Sequence, residues 1–247
     1  MILSEYFNSK KTNKLIGFNS KFDFFKNLIE KNELPKVTML SGDKGIGKST
    51  FINHLTHFYF DKKNYNIDEK SFKDNKFHKQ FLNNILQDVC YLSGSGNENV
   101  KIDQVRKLKS FLFKKPILFN KRFIILDDVE KFNINSLNAL LKELEEPKEY
   151  NYFFLINNQT KKILDTIKSR CLDIKFLINQ NQRNEIIDFL LRYYDQKIFF
   201  RKDIINITPG KFLLYNFICE ENNINLSDYL LKNIKIVLSL YKKEKNY

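Results

Sequence analysis

Residues 42–49 read Gly42-Asp43-Lys44-Gly45-Ile46-Gly47-Lys48-Ser49, and no other stretch restricts the fold as tightly. The chain has 7 glycines, and three of them stand here. They follow the short apolar run VTML at 37–40 and precede STFINHLTHFYF. Four apolar residues are too few for a buried helix and suit a buried parallel strand. The segment after Ser49 reads as a helix. A glycine-rich turn between strand and helix lets backbone amides face inward and approach phosphate oxygens. The helix aims its N-terminal partial charge at the same point. In the pattern G-x-x-x-x-G-K-[ST] the lysine reaches the β- and γ-phosphates and the hydroxyl ligates Mg²⁺. The spacing therefore predicts a P-loop at 42–50, with Gly42, Asp43, Lys44, Gly45, Ile46, Gly47, Lys48, Ser49 and Thr50 around ATP and Mg²⁺.

A P-loop needs an acid at the end of a buried strand. RFIILDD at 122–128 supplies it, with Asp127 on the Mg²⁺ side and Asp128 where a hydrolytic enzyme carries its water-orienting carboxylate. Further apolar runs, VCYL at 89–92, YFFLINN at 152–158 and LDIKF at 172–176, read as strands. Between them, residues 20–34, 102–113 and 135–147 carry apolar residues at helical spacing, the last with Leu137, Leu140, Leu141 and Leu144 on one stripe. Strands alternating with helices predict an α/β fold with a parallel sheet. Residues 61–80 are polar, rich in Lys and Asn, and read as a loop or loosely helical insertion. SGSGNEN at 93–99 reads as a flexible loop, and TPGK at 208–211 as a turn. After Phe176 the pattern is helical with no further buried strand, which places a boundary near 176 and a weaker one near 212.

At 247 residues and 43% hydrophobic, the chain can bury a substantial core. No apolar run approaches the roughly 20 residues that span a bilayer. The start has no cationic segment followed by an apolar one, so no signal peptide is read. Cys90, Cys171 and Cys219 are scattered and odd in number, which indicates neither a disulfide framework nor a zinc site. A reducing cytoplasm fits. His54 and His57 stand at i and i+3 on the P-loop helix, a metal pair in spacing, but with no third ligand evident they read as surface or packing residues. The net charge of +13 suits nucleic acid, and equally suits the Lys- and Asn-rich usage of the whole chain.

The run Asn138-Ala139-Leu140-Leu141-Lys142-Glu143-Leu144-Glu145-Glu146-Pro147, then NYFFLINN, then Ser169-Arg170-Cys171, resembles the AAA+ clamp-loader ATPases of DNA replication. KLIGFNSKFDFF at 14–25 and IDQVRKLKSFL at 102–112 also resemble family segments, and the resemblance covers about residues 14–212. It implies an AAA+ P-loop core over 1–176, a small helical lid over 177–212, and a short helical tail over 213–247 where relatives continue into a collar domain. It places Asn158 at the sensor-1 position and Arg170 at the finger that acts in trans on a neighbour's ATP. Pro209-Gly210-Lys211 resembles the lid segment, with Lys211 where the family often has Arg. The partners it implies are other loader subunits in a hetero-oligomeric ring, the sliding clamp and primed DNA, with no membrane.

Within the family the chain is most similar to the delta-prime branch, with gamma/tau second. The gamma/tau branch carries a four-cysteine zinc module after the P-loop helix, whereas residues 61–90 hold one cysteine, so no zinc is expected. It also carries Asp-Glu where this chain has Asp127-Asp128. Aspartate is one methylene shorter, and a misplacement of about 1 Å can cost on the order of 100-fold. Unlike delta-prime proteins with degenerate P-loops, this chain has a complete one. Three readings stay open: a delta-prime-like finger donor that holds ATP, a gamma/tau-like motor that hydrolyses it, and a free-standing P-loop kinase or ATPase.

Overall fold

The computed structural model describes residues 8–94, 100, 102–199 and 206–221. Residues 95–99 of the expected loop and residues 222–247 of the expected tail lie outside them. In chain order the strands are β1 (Val37–Ser41), β2 (Tyr65–Asn66), β3 (Ser71–Phe72), β4 (Val89–Ser93), β5 (Arg122–Asp127), β6 (Asn151–Asn157) and β7 (Leu172–Lys175). The helices are α1 (Asn19–Glu30), α2 (Lys48–Phe60), α3 (Lys76–Leu82), α4 (Ile102–Leu112), α5 (Ile134–Glu145), α6 (Asp165–Lys168), α7 (Gln180–Tyr193) and α8 (Pro209–Glu221). They divide into two compact units, one spanning Asn8–Leu177 and the other containing α7 and α8.

Five strands of the larger unit form one sheet in the order β4-β5-β6-β1-β7. Every pairing in it is parallel. Every residue of β1 and β6 is buried, which is why these strands read as unbroken apolar runs rather than alternating ones. On one face, Ile124, Leu126, Phe153 and Leu155 pack with Val105, Leu108 and Leu112 of α4 and Leu137, Leu140 and Leu144 of α5. The opposite face is aromatic. Tyr59 stacks on Phe123, Phe123 meets Phe154 edge-on, and Phe51 of α2 meets Phe22, Phe25 and Phe176. A parallel sheet sends the carboxyl ends of all its strands to one edge. The turn after β1, the acids after β5 and the asparagines after β6 therefore share that edge.

Residues 61–80 are more ordered than their composition suggests. They form the β2–β3 ribbon and the start of α3, tied to the body by Phe72 and by the three histidines of the chain. His57 stacks on Phe72 with ring centroids 3.8 Å apart. His54 donates to the Thr12 carbonyl at 3.1 Å and pairs with the Tyr65 hydroxyl at 3.1 Å. His57 donates to the Asn53 carbonyl at 2.8 Å, so its other nitrogen accepts from His78 at 3.1 Å. All three are buried and held neutral. Burial pushes His54 down to about 3 and His57 to about 4. Among the described residues no three His, Cys, Asp or Glu side chains gather into a metal site.

In the second unit α7 opens on a capping box between Asn179 and Gln182. It packs on α8 through Ile187, Leu191, Phe212 and Leu213. The expected turn at 208–211 is instead the first turn of α8: Pro209 starts the helix, and the Phe212 amide donates to the Thr208 carbonyl at 2.9 Å. Proline at the first helical position gives up no hydrogen bond, because that N–H has no partner in any helix. Among the described residues no helix is long and apolar enough to cross a membrane.

Candidate nucleotide site

The loop between β1 and α2 can be built only with glycine at two of its positions. A β-carbon on Gly42 would lie 2.5 Å from the Phe176 carbonyl oxygen. Gly47, immediately before α2, has φ 111°, which L-residues rarely adopt. Lys48 begins α2 and folds back under the loop, 2% exposed. Its ammonium donates to the carbonyls of Gly42 at 2.6 Å and Asp43 at 2.9 Å. Burial pushes it down to about 8, against the pull of Asp127, Glu130, Asp43 and Asp128. A desolvated cation under a loop of backbone amides is poised for an anion. Ile46 is buried, while Asp43 and Lys44 face solvent and Thr50 is half-buried.

Asp127 ends β5 on the aromatic face, across β6 from the loop. Its Oδ2 accepts from the Ser49 hydroxyl at 3.0 Å and, in a very short bond, from the Tyr91 hydroxyl. Its Oδ1 accepts from the amide of Asp128 at 2.8 Å. Burial raises the Asp127 carboxyl, and the bonds from Tyr91 and Ser49 oppose that rise. A serine hydroxyl beside one carboxylate is a hard oxygen pair, which fits Mg²⁺. That ion keeps waters and takes one or two carboxylates together with substrate phosphates rather than an all-protein cage.

Asp128 has φ 53°, a left-handed conformation that aspartate tolerates better than most residues. The turn carries its side chain away from Asp127 into a separate set of partners. Asn158, just past β6, donates from its side-chain amide to Asp128 Oδ1 at 2.6 Å. Lys131 and Lys44 meet Oδ2 at 3.0 and 3.5 Å. Burial alone would raise this carboxyl, but the bonds from Lys131 and Asn158 and the charge of Lys44 bring it below the usual range. Glu130 completes the edge by accepting from the Asn158 amide at 3.2 Å and the Thr160 hydroxyl at 2.8 Å.

Arg170 lies elsewhere. It follows α6 and precedes β7, so it sits at the amino-end edge of the sheet. In the β1–β7 register Thr38 faces Leu172 and Ser41 faces Lys175. Three residues of strand, about 10 Å at ~3.3 Å each, separate the start of β7 from the edge that carries the loop. Its guanidinium donates to the Thr166 carbonyl at 2.8 Å and pairs with Glu145 at 3.2 Å, while Nε is buried without a partner. Lys211 lies in the first turn of α8, in the other unit.

Sequence reasoning passed over Tyr91, Lys131 and Glu130. Lys131 and Glu130 are within three residues of Asp128 and were in view. Tyr91 needs the strand order: β4 pairs with β5 so that Tyr91 faces Ile125, which puts Tyr91 and Asp127 diagonally on one face, within reach of an aromatic side chain.

A second feature lies between α4 and β5. The buried Asp88 carboxylate accepts from three consecutive amides, Ile117, Leu118 and Phe119, at 2.9, 2.7 and 3.0 Å. From the other side, the buried Arg122 guanidinium donates to the carbonyls of Phe111, Lys114 and Lys115 at 2.9–3.1 Å. This loop is pinned by two charges, yet it leaves Ile117 67% and Leu118 68% exposed.

The sequence model of the family described as "DNA polymerase III, delta subunit" matches residues 18–180. The chain belongs to that family. Among curated relatives, DNA polymerase III subunit delta' of Pseudomonas aeruginosa is 41% identical over 73 residues, covering 30% of this chain and 22% of that protein. DNA polymerase III subunit gamma of Buchnera aphidicola subsp. Schizaphis graminum is 26% identical over 191 residues, covering 76% of this chain and 50% of that protein. The chain thus spans half or less of the length of these relatives. A RuvB variant of Thermotoga maritima superposes with a TM-score of 0.51 at 15% identity, over 94% of this chain and 72% of that one. That likeness shows the fold alone, an α/β P-loop core. The DNA polymerase III delta family and its delta-prime and gamma/tau relatives bear out the clamp-loader resemblance read from 138–147 and 169–171.

Proposed function

We propose that this chain is a delta-prime-like clamp-loader subunit. It holds MgATP at residues 42–50 and supplies Arg170 to the nucleotide of a neighbouring subunit while the loader places the sliding clamp on primed DNA. The observation that carries the reading is the position of Arg170 at the sheet edge opposite the chain's own phosphate loop. A guanidinium there has no route to its own site and is available to another. Its acidic partner, Glu145, is exposed, so that ion pair costs little to separate.

In this reading the amides of 42–47 and the Lys48 ammonium hold the phosphates. Ser49 and Asp127 hold the Mg²⁺, which neutralises phosphate charge when bound. Asn158 and Asp128 face the γ-phosphate side of the site. The chain's own turnover is low because Asp128 is engaged by Asn158, Lys131 and Lys44 and has little freedom to orient water. The motor reading, in which this site hydrolyses, draws on the complete P-loop. In this reading the core over 1–176 and the lid over 177–212, with Lys211, make up the AAA+ module, and 213–247 is the short tail that follows it. The exposed loop around Leu118, braced by Asp88 and Arg122, supports contact with the clamp. The place of action is the cytoplasm.

Copurification tests the assignment. The tagged full-length chain should bring down polymerase III loader subunits in stoichiometric amounts, and recovery of the chain free of them would oppose it.

A further inference from the structure

Asp128 stands where a hydrolytic P-loop enzyme carries its water-orienting carboxylate, and two lysines converge on it. A carboxylate offers about four lone-pair sites. Asn158 takes one on Oδ1 at 2.6 Å, and Lys131 and Lys44 share Oδ2 at 3.0 and 3.5 Å. The Asp128 side chain is 3% exposed and that of Lys131 27%. The lysine, not the acid, meets solvent, and little water reaches the site left on Oδ1.

The two lysines are held differently. Lys44 lies on the phosphate loop with its side chain half-exposed, where a bound polyphosphate competes for its ammonium. Lys131 closes the single helical turn Val129–Lys131 that Asp128 precedes. Its amide donates to the Asp128 carbonyl at 2.9 Å and its ammonium to the Asp128 carboxylate at 3.0 Å. Both ends of the lysine grip one residue, and neither contact depends on the phosphate loop.

We propose that Lys131 is a positioning residue that locks Asp128. It neutralises the carboxylate and covers Oδ2, and so keeps the site holding ATP rather than hydrolysing it. The inference rests on the ATP-site reading and goes beyond it by assigning the low turnover to one side chain. Without the lysine, Oδ2 is open to a water whose oxygen attacks the γ-phosphorus. The bond from that phosphorus to the ADP oxygen breaks. ATP and water give ADP and inorganic phosphate, and the proton the water gives up passes to Asp128 and on to solvent.

The test is single-turnover ATP hydrolysis by the full chain in excess, beside equilibrium binding of a fluorescent ATP analogue in Mg²⁺. A positioned base is worth roughly 10²–10⁴-fold, and the short reach of aspartate costs on the order of 100-fold. Lys131→Met should therefore raise the rate about tenfold while affinity stays within about twofold of the parent. Lys131→Arg restores the charge and should restore the low rate. On an Asp128→Asn background, Lys131→Met should have no effect. An unchanged or lower rate in Lys131→Met, with the analogue still bound, would overturn the inference and leave the ATP site standing. So would a rise of equal size in Lys131→Arg, or one that persists on the Asp128→Asn background. A parent that binds no analogue would remove the ATP-site reading and this inference with it.

Discussion

Lys48→Ala separates phosphate binding from folding. The ammonium is buried and donates to two loop carbonyls at 2.6 and 2.9 Å. With a nucleotide present it would trade two ion–carbonyl bonds, at the low end of the ~1.5–3 kcal/mol of charge-assisted bonds, for two ion–ion bonds to phosphate oxygens nearer the high end. A net gain of about 1.5 kcal/mol, half of the ~3 kcal/mol that the two extremes allow, is roughly 10-fold in Kd. Stability should change far less. The variant loses two bonds and also loses a desolvated charge. Because the folded value of about 8 lies below the unfolded 10.5, that charge weighs fully against the parent below about pH 8. The burden lifts as pH rises from 8 toward 10.5, where the unfolded chain alone keeps the proton. The parent should therefore gain on the variant over that window. The assay is fluorescence titration of an ATP analogue beside thermal unfolding of both proteins. Equal affinities would refute the reasoning, and so would a collapse of the melting temperature by ten degrees or more, which would make Lys48 a structural strut.

Two further outcomes follow from other parts of the fold. Leu118→Ser should leave the melting temperature nearly unchanged, since the side chain is 68% exposed, yet weaken clamp binding by the assembled loader at least several-fold in surface plasmon resonance; unaltered clamp affinity would remove that loop from the interface. The histidine cluster should make the fold acid-sensitive. Its folded values of about 3 for His54 and about 4 for His57 lie below the unfolded 6.5, so their contribution is complete above pH 6.5 and is lost as pH falls toward 4. At pH 5 each costs ~2 kcal/mol. Denaturant melts from pH 7.5 to 5 should show the decline, with a shallower one in His57→Leu, and a flat profile in the parent would contradict it.

The parts of this molecule legible in the sequence are those where one local pattern decides the outcome. FIIL is an unbroken apolar run because both faces of β5 are covered, and Leu137, Leu140 and Leu144 recur at helical spacing because one stripe of α5 is buried. The P-loop is legible because Gly42 and Gly47 meet demands no other residue meets. Four features were not legible, each for a physical reason. The β2–β3 ribbon is held by His54, His57 and Phe72 from separate segments, so its own composition says little. Pro209-Gly210 pairs two residues that break helices elsewhere, and the pair reads as a turn although proline at the first helical position costs no hydrogen bond. The contact of Tyr91 with Asp127 and the placement of Arg170 at the far edge both depend on strand order, which no local pattern contains.

The division of labour between Arg170 and Asp128 is the centre of the account. It is measured most directly by the steady-state ATPase of a reconstituted, clamp- and DNA-stimulated loader. Arg170→Ala should leave ATP binding by this chain unchanged and cut turnover in the assembly severely, because fingers of this kind are worth roughly 10³-fold or more at the site they serve. Asp128→Ala should change turnover little, since its carboxylate is engaged by Asn158, Lys131 and Lys44. If Asp128→Ala abolishes most of the turnover while Arg170→Ala is silent, the chain is a motor and not a finger donor.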